Sequence, residues 1–364
     1  MTATIQPAQA VEEDFAERVF EASVHALDVF SIYVGEKLGL YEALQTHGPL
    51  TRDDLTRHAD IHWRYAQEWL EQQTASGIVS LDDPALPADR RSYSLPPAHA
   101  EVLLDRDSLS YLSPFVRMIT RSGIMLPSML QAFRTGGGVG WHELGDDARS
   151  GQADMNRPWY LQSIGTEWFP AIPELHQALV GGGRVADVGC GEGWSSIAIA
   201  LAYPGAWVDG FDVDGPSIEA ARRHAAESGV SDRVTFHQVD AAELDGAESV
   251  YDAVVGFEFI HDLPHPVSVL KAMRRIAKPE APVVVMDENV PDEFVGERND
   301  AERVMYGLSL FICLPDGMSH QPSAATGTVI RQSTMRSYAQ EAGFSDVEVM
   351  PIEHDLWRFY SLSG

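Results

Sequence analysis

Apolar residues recur at helical spacing over residues 12 to 46, where Phe15, Val19, Phe20, Val24, Leu27, Val29, Ile32, Leu38, Leu40 and Leu44 fall on successive turns. Gly35 and Gly39 punctuate the run. Gly48-Pro-Leu-Thr51 reads as a helix start with Thr51 as N-cap, predicting a short helix over 53–58 and a longer one over 62–76 that Gly77 ends. Ile78-Val-Ser-Leu81 and Arg91-Ser-Tyr-Ser-Leu95 flank a stretch containing Pro84 and Pro87, which predicts a small β-hairpin. Helices followed by a hairpin make a winged-helix pattern.

Beyond residue 105 the pattern loosens. Helical stretches alternate with Gly136-Gly-Gly138 and with the aromatics Trp141, Trp159, Tyr160 and Trp168, as expected of a linker that also covers a site. From Arg184 onward, strands over 184–188, 206–211, 233–239, 251–256 and 282–286 alternate with helices over 194–203, 217–228 and 267–278. A helix over 334–342, closed by Gly343, precedes strands near 347–350 and 356–360. Such alternation predicts an α/β domain, a Rossmann-like parallel sheet with helices on both faces and ligands at the carboxyl ends of its strands. The expected organisation is a mainly helical, winged-helix-like dimerisation domain over 1–105, a helical linker and pocket cover over 106–180, and an α/β domain over 181–364.

Charge narrows the partners. A net charge of -28 repels phosphate backbones and anionic lipid surfaces. In the winged-helix region Arg64 sits with Glu68 and Glu71, and Arg90 and Arg91 with Asp82, Asp83 and Asp89, so homodimerisation or pocket closure is expected rather than nucleic-acid binding. Two cysteines, Cys190 and Cys313, cannot build a disulfide framework or a clustered zinc site, and the thirteen histidines are scattered, so no metal is expected. Neither a leader-like N-terminus nor a long apolar run is present, which points to a cytoplasmic protein with no membrane partner.

The densest chemical signal is Val185-Ala-Asp-Val-Gly-Cys-Gly-Glu-Gly-Trp194, at a strand-to-helix junction. A dinucleotide site wants a third glycine where this chain has Trp194, and its pyrophosphate disfavours an adjacent acid such as Asp187. An aminoacyl nucleoside suits the loop better. Asp212, after the second strand, can accept from both ribose hydroxyls, and Asp240, after the third, from an adenine amino group.

These residues resemble the class I S-adenosylmethionine-dependent methyltransferases, in particular bacterial small-molecule types with an N-terminal winged-helix-like domain. The resemblance implies a seven-stranded sheet with an antiparallel last strand. It also implies that Asp187, Gly189 and Gly191 hold the methionine end of S-adenosylmethionine, Asp212 the ribose, and Asp240 with Ala241 the adenine, with S-adenosylhomocysteine as product. Phe257, at the end of the fourth strand, joins the expected cofactor contacts.

Phe257-Glu-Phe-Ile-His-Asp-Leu263 then faces the transferring methyl group. Its His261-Asp262 pair resembles the His-Asp-Trp motif of small-molecule O-methyltransferases, in which the histidine is general base; Leu263 replaces the tryptophan. A phenol of pKa about 10 is protonated at neutral pH, so a nearby imidazole assists its attack on the methyl group. Asp287 and Glu288, at the end of the next strand, are expected to orient His261 or bind substrate. Trp159, Tyr160, Trp168, Tyr306 and His354 are candidate substrate contacts, with Arg298, Arg303, His320, Asp355 and Trp357 as further pocket candidates. The leading expectation is methyl transfer to a phenol or enol oxygen. Nitrogen or carbon methylation, a cofactor-sensing winged-helix regulator, and a non-methylating enzyme that uses the same cofactor are the alternatives.

Overall fold

The computed structural model describes residues 7–244, 248–294, 296 and 299–364. Two compact units divide the chain, Met1–Thr120 and Arg121–Gly364.

In the first unit the predicted long helix is two, Pro7–Lys37 and Leu40–His47, separated at Gly39, whose φ is 66°. The next helix, Arg52–Ala59, starts as expected from Thr51: its side chain accepts from the Asp54 amide while Asp54 accepts from the Thr51 amide, a capping box. Trp63–Ala75 follows, capped by His62. The hairpin pairs β2 (Ser80–Leu81) with β3 (Ser92–Ser94), and β1 (Leu50–Thr51) adds a third antiparallel strand where the sequence pattern reads only a helix start. Two residues carry too short a pattern to signal a strand. Leu40, Tyr41, Leu44, Leu55, Leu70 and Tyr93 fill this unit's core.

The second unit is built on seven strands: β4 (Arg184–Val188), β5 (Trp207–Asp212), β6 (Val234–Gln238), β7 (Ala253–Phe257), β8 (Val283–Glu288), β9 (Asp346–Val349) and β10 (Trp357–Ser363). Their order is β6-β5-β4-β7-β8-β10-β9. β4 to β8 pair in parallel, whereas β10 runs antiparallel to both β8 and β9. This is the sheet expected from the alternation after Arg184. β8 is buried along its whole length, which explains why Val283-Val-Val-Met286 reads as a continuous apolar run.

Each face of the sheet carries its own core. Val185, Val255, Phe257 and Phe359 pack with Ile197 of the helix Trp194–Ala202 and with Tyr160, Trp168 and Leu175 from the region before the sheet. Val188, Val254, Val285 and Tyr360 pack on the other face with Leu270 of the helix Pro266–Ile276 and Met335 of the helix Gln332–Ala342. A side-chain period of two sends alternate strand residues to the two cores. The carboxyl ends of β4, β5, β7 and β8 bring Asp187, Asp212, Phe257 and Asp287 to one edge of the sheet.

Candidate functional site

The loop after β4 is shaped by glycine. Gly191 has φ 51° and no atom within 4 Å of where a Cβ would stand, so its backbone borders open space; Gly193 has φ 85°, and a Cβ there would lie 2.6 Å from Phe236 and 2.8 Å from Ala221. Gly191 leaves open space beside its backbone, whereas Gly193 is needed for packing. Asp212 Oδ2 accepts from the Gly191 amide at 2.8 Å and its Oδ1 from the Asp214 amide at 2.9 Å, which fixes the carboxylate beside the loop. Asp240 instead caps the turn Ala241–Glu243 through a 2.8 Å bond from the Ala242 amide.

Asp187 is fully buried. The hydroxyls of Ser195 and Ser196 each donate to its Oδ2 at 2.6 Å, while Oδ1 has no hydrogen-bond partner among the described residues. Burial pushes its carboxyl up to about 6 against the pull of the two serines.

After β7 the chain turns through Glu258, whose φ of 50° is unusual for a side chain with a Cβ and of order 1–3 kcal/mol in strain. Its amide donates to Met286 O at 2.8 Å. Its carboxylate accepts from Trp357 Nε1 at 2.5 Å, from Asn156 Nδ2, from Gln152 at 3.3 Å and from Tyr160 Oη at 3.5 Å. Burial raises the Glu258 carboxyl from 4.5 to about 7. The motif Phe257–Leu263 points to His261 and not to this residue. An acid directly after a wholly apolar strand was the available signal.

His261 lies in the short turn Ile260–Asp262 and is 3% exposed. Its Nδ1 is 2.5 Å from Asp287 Oδ1, and its Nε2 is 3.3 Å from Asp262 Oδ1. Burial alone lowers its pKa, but the two carboxylates outweigh that and hold the imidazole well above 6.5. Glu288 is also buried, and burial together with the charge of Glu258 lifts its carboxyl well above the usual range. Cys313 Sγ comes within 4.8 Å of the His261 and Asp262 donor atoms, and Asp262 Oδ1 is buried without a hydrogen-bond partner among the described residues.

Four of the five expected substrate contacts gather around Trp357. His354 stacks on it at 4.4 Å between ring centroids, and Trp159, Trp168 and Tyr160 meet it at 5.8, 5.6 and 6.5 Å. Tyr306 belongs elsewhere: its ring faces Phe294 at 6.1 Å and its hydroxyl accepts from Arg331 at 3.1 Å. Arg298 lies outside the described residues.

Comparison with known proteins places this geometry. A family described as Methyltransferase domain matches residues 179–343, and an Rv2258c-like winged HTH domain matches residues 26–105. The chain is 34% identical over 186 residues to the ubiquinone biosynthesis O-methyltransferase of Bordetella parapertussis, an overlap of 50% of this chain and 71% of that protein. The chain belongs to the S-adenosylmethionine-dependent methyltransferases. The fold of this methyltransferase is shared along its length by the mitomycin 7-O-methyltransferase MmcR, with a TM-score of 0.73 at 20% identity, covering 98% of this chain and 99% of that one. Human N-acetylserotonin methyltransferase, solved with its cofactor, gives a TM-score of 0.68 at 15% identity, covering 100% and 99%.

The methyltransferase's own residues fit S-adenosylmethionine. The open face of Gly191, the carboxylate of Asp212 beside it and the unpartnered buried oxygen of Asp187 are features that a bound amino-acid nucleoside would complete. Each Asp212 oxygen keeps a second lone pair for a ribose hydroxyl. When bound, the cofactor supplies an electrophilic methyl group on sulfonium.

Proposed function

We propose that this methyltransferase transfers a methyl group to an oxygen of a small molecule, a phenol or enol, with the His261–Asp287 pair serving the acceptor's proton. The observation that carries the reading is the 2.5 Å contact between Nδ1 and Asp287 Oδ1, which fixes the ring and leaves Nε2 facing Asp262. An amine acceptor is partly neutral already and has little use for such a pair; a phenol gains from it. The names of its relatives, a ubiquinone biosynthesis O-methyltransferase and a mitomycin 7-O-methyltransferase, support oxygen as the acceptor atom.

In this reading Asp187, Gly189, Gly191, Asp212, Asp240, Ala241 and Phe257 hold the cofactor. The rings of Trp159, Tyr160, Trp168 and His354 border the acceptor, and Glu288 supports the carboxylate end of the site. Orientation of the acceptor against the methyl group is the main catalytic effect, and proton removal adds to it.

The winged-helix unit serves assembly rather than DNA in this reading. Arg52, Arg57, Arg64 and Arg91 are each paired with an acid, Asp53, Asp54, Glu68 and Glu71, which leaves little positive field for phosphates. The helix Pro7–Lys37 keeps Phe15, Phe20 and Leu27 60%, 69% and 62% exposed, a face that a second copy of the chain would cover. No helix among the described residues is long and apolar enough to cross a membrane, and both cysteines are free, in keeping with a cytoplasmic enzyme.

Methylation of matched hydroxy- and amino-arenes by the wild type and His261→Ala tests the acceptor assignment. The variant should lose about 10²- to 10⁴-fold in rate on hydroxyarenes. Equal losses on both series, or no loss, would remove His261 from proton transfer.

A further inference from the structure

Tyr160 stands among three carboxylates, those of the buried Asp187 and Glu288 and of the half-buried Glu258. The charges that act most on its hydroxyl are those of Glu258, Asp187 and Glu288, and burial with those charges holds its pKa well above 10. Asp187 pairs with Val255 in the parallel register of β4 and β7, three residues before Glu258, and Tyr160 packs on Phe257 at 5.6 Å between them. The cation that bears most on Glu258 and Glu288 is His261, already shared between Asp287 and Asp262. Carboxylates buried in excess of cations must either keep protons or receive positive charge from outside.

The cofactor's methionine end brings such a charge. We propose that Glu258 and Asp187 together receive the α-ammonium group of S-adenosylmethionine, and that cofactor binding expels a proton from Glu258. Asp187 contributes the buried Oδ1 that lacks a partner. On Glu258 the short bonds from Trp357 and Asn156 hold the carboxylate, while the 3.3 and 3.5 Å contacts from Gln152 and Tyr160 are long enough to give way to a charged donor. The strained backbone at Glu258 points the same way, because a positive φ in a residue with a Cβ persists where the carboxylate's position matters.

The proton balance follows from the surroundings. Glu258 is faced by Gln152, Asn156 and Tyr160 from the helix Trp141–Ser163, by Trp357 from β10, by His261 from its own turn, and by Asp287 and Glu288 from β8. Without the ammonium its carboxyl titrates near 7. With the ammonium beside it the anion is favoured, and the proton leaves to solvent. Only the carboxyl O–H bond breaks, its electron pair staying on Glu258 and its proton passing to water or buffer.

Calorimetric titration of the full chain with S-adenosylhomocysteine at pH 7, in two buffers of different ionisation enthalpy, reads the proton directly. The wild type should release about half a proton per cofactor bound. Glu258→Gln should release no more than about a tenth of a proton, from Asp187, and bind about tenfold more weakly, with an unchanged circular dichroism spectrum. The analogue that lacks the amino group should bind the wild type without proton release, which decides the matter even if the variant misfolds. Release that is absent in the wild type, or undiminished in the variant or with the analogue, overturns the proposal. A folded wild type that binds no S-adenosylhomocysteine would instead overturn the cofactor assignment.

Discussion

Asp287 Oδ1 lies 2.5 Å from His261 Nδ1, at the ends of two segments that neighbouring strands β7 and β8 deliver to the same edge of the sheet. Both side chains are buried, and the pair leaves one imidazole nitrogen facing Asp262. An imidazole held this way is oriented and strongly basic.

That basicity sets a pH dependence. His261 must lose its proton before it can accept one, so the acid limb of kcat/KM should lie above pH 6.5, with the rate rising as pH rises through it. Asp287→Asn removes one of the carboxylates that raise the pKa. The limb should move to lower pH while the plateau rate falls by at least tenfold through lost orientation. A limb that stays in place in the variant would mean that another group titrates.

The two glycines of the loop should fail differently. Gly191→Ala meets open space and a strained φ of 51°, so it should weaken S-adenosylhomocysteine binding at a stability cost of about 1–2 kcal/mol. Gly193→Ala adds the clash with Phe236 and Ala221 and should cost about 1–3 kcal/mol more. Urea unfolding and calorimetry on both variants check the split, which equal stability losses would contradict.

Glu258 makes stability depend on pH. Its folded pKa, about 7, lies above the ordinary 4.5, so the native state binds this proton more tightly than the unfolded chain does. Its contribution is therefore greatest below about pH 4.5 and is lost as pH rises through about 7. Whatever offset Glu258→Gln introduces, the difference between variant and wild type should shift in the variant's favour between pH 5 and pH 8. Urea unfolding of both proteins at the two pH values reads this, and a constant difference would contradict it.

A second copy covering the helix Pro7–Lys37 should make the protein a dimer in solution, and the double variant Phe20→Asp with Leu27→Asp should make it a monomer. Multi-angle light scattering decides. A monomeric wild type would remove the assembly role given to this face.

Much of this architecture is written in local pattern. The apolar runs of β7 and β8 and the glycines after β4 sit where their periodicity and spacing place them, because a strand buried on both faces needs continuous apolar residues and the loop needs positive φ. Thr51 was legible as a cap for the same local reason. β1 was not, since two residues acquire a strand conformation only from their pairing with Tyr93 and Ser92. The site divides the same way. His261 and Asp287 could be suspected from their places at strand ends, but Glu258 acquires its meaning from Asn156, Tyr160 and Trp357, which lie about a hundred residues away on either side and meet it only after folding. Tyr306 shows the converse, an aromatic suspected by type alone that packs on Phe294 instead of joining the rings around Trp357.

The acceptor atom is the claim on which the account turns. Incubating the protein with S-adenosylmethionine carrying a ¹³C-methyl group and a panel of hydroxylated and aminated aromatic compounds, then reading the products by carbon NMR, identifies that atom directly. The account predicts ¹³C-methyl ethers, formed by the wild type and lost with His261→Ala. Methyl groups found only on nitrogen or carbon, at rates indifferent to that substitution, would contradict it.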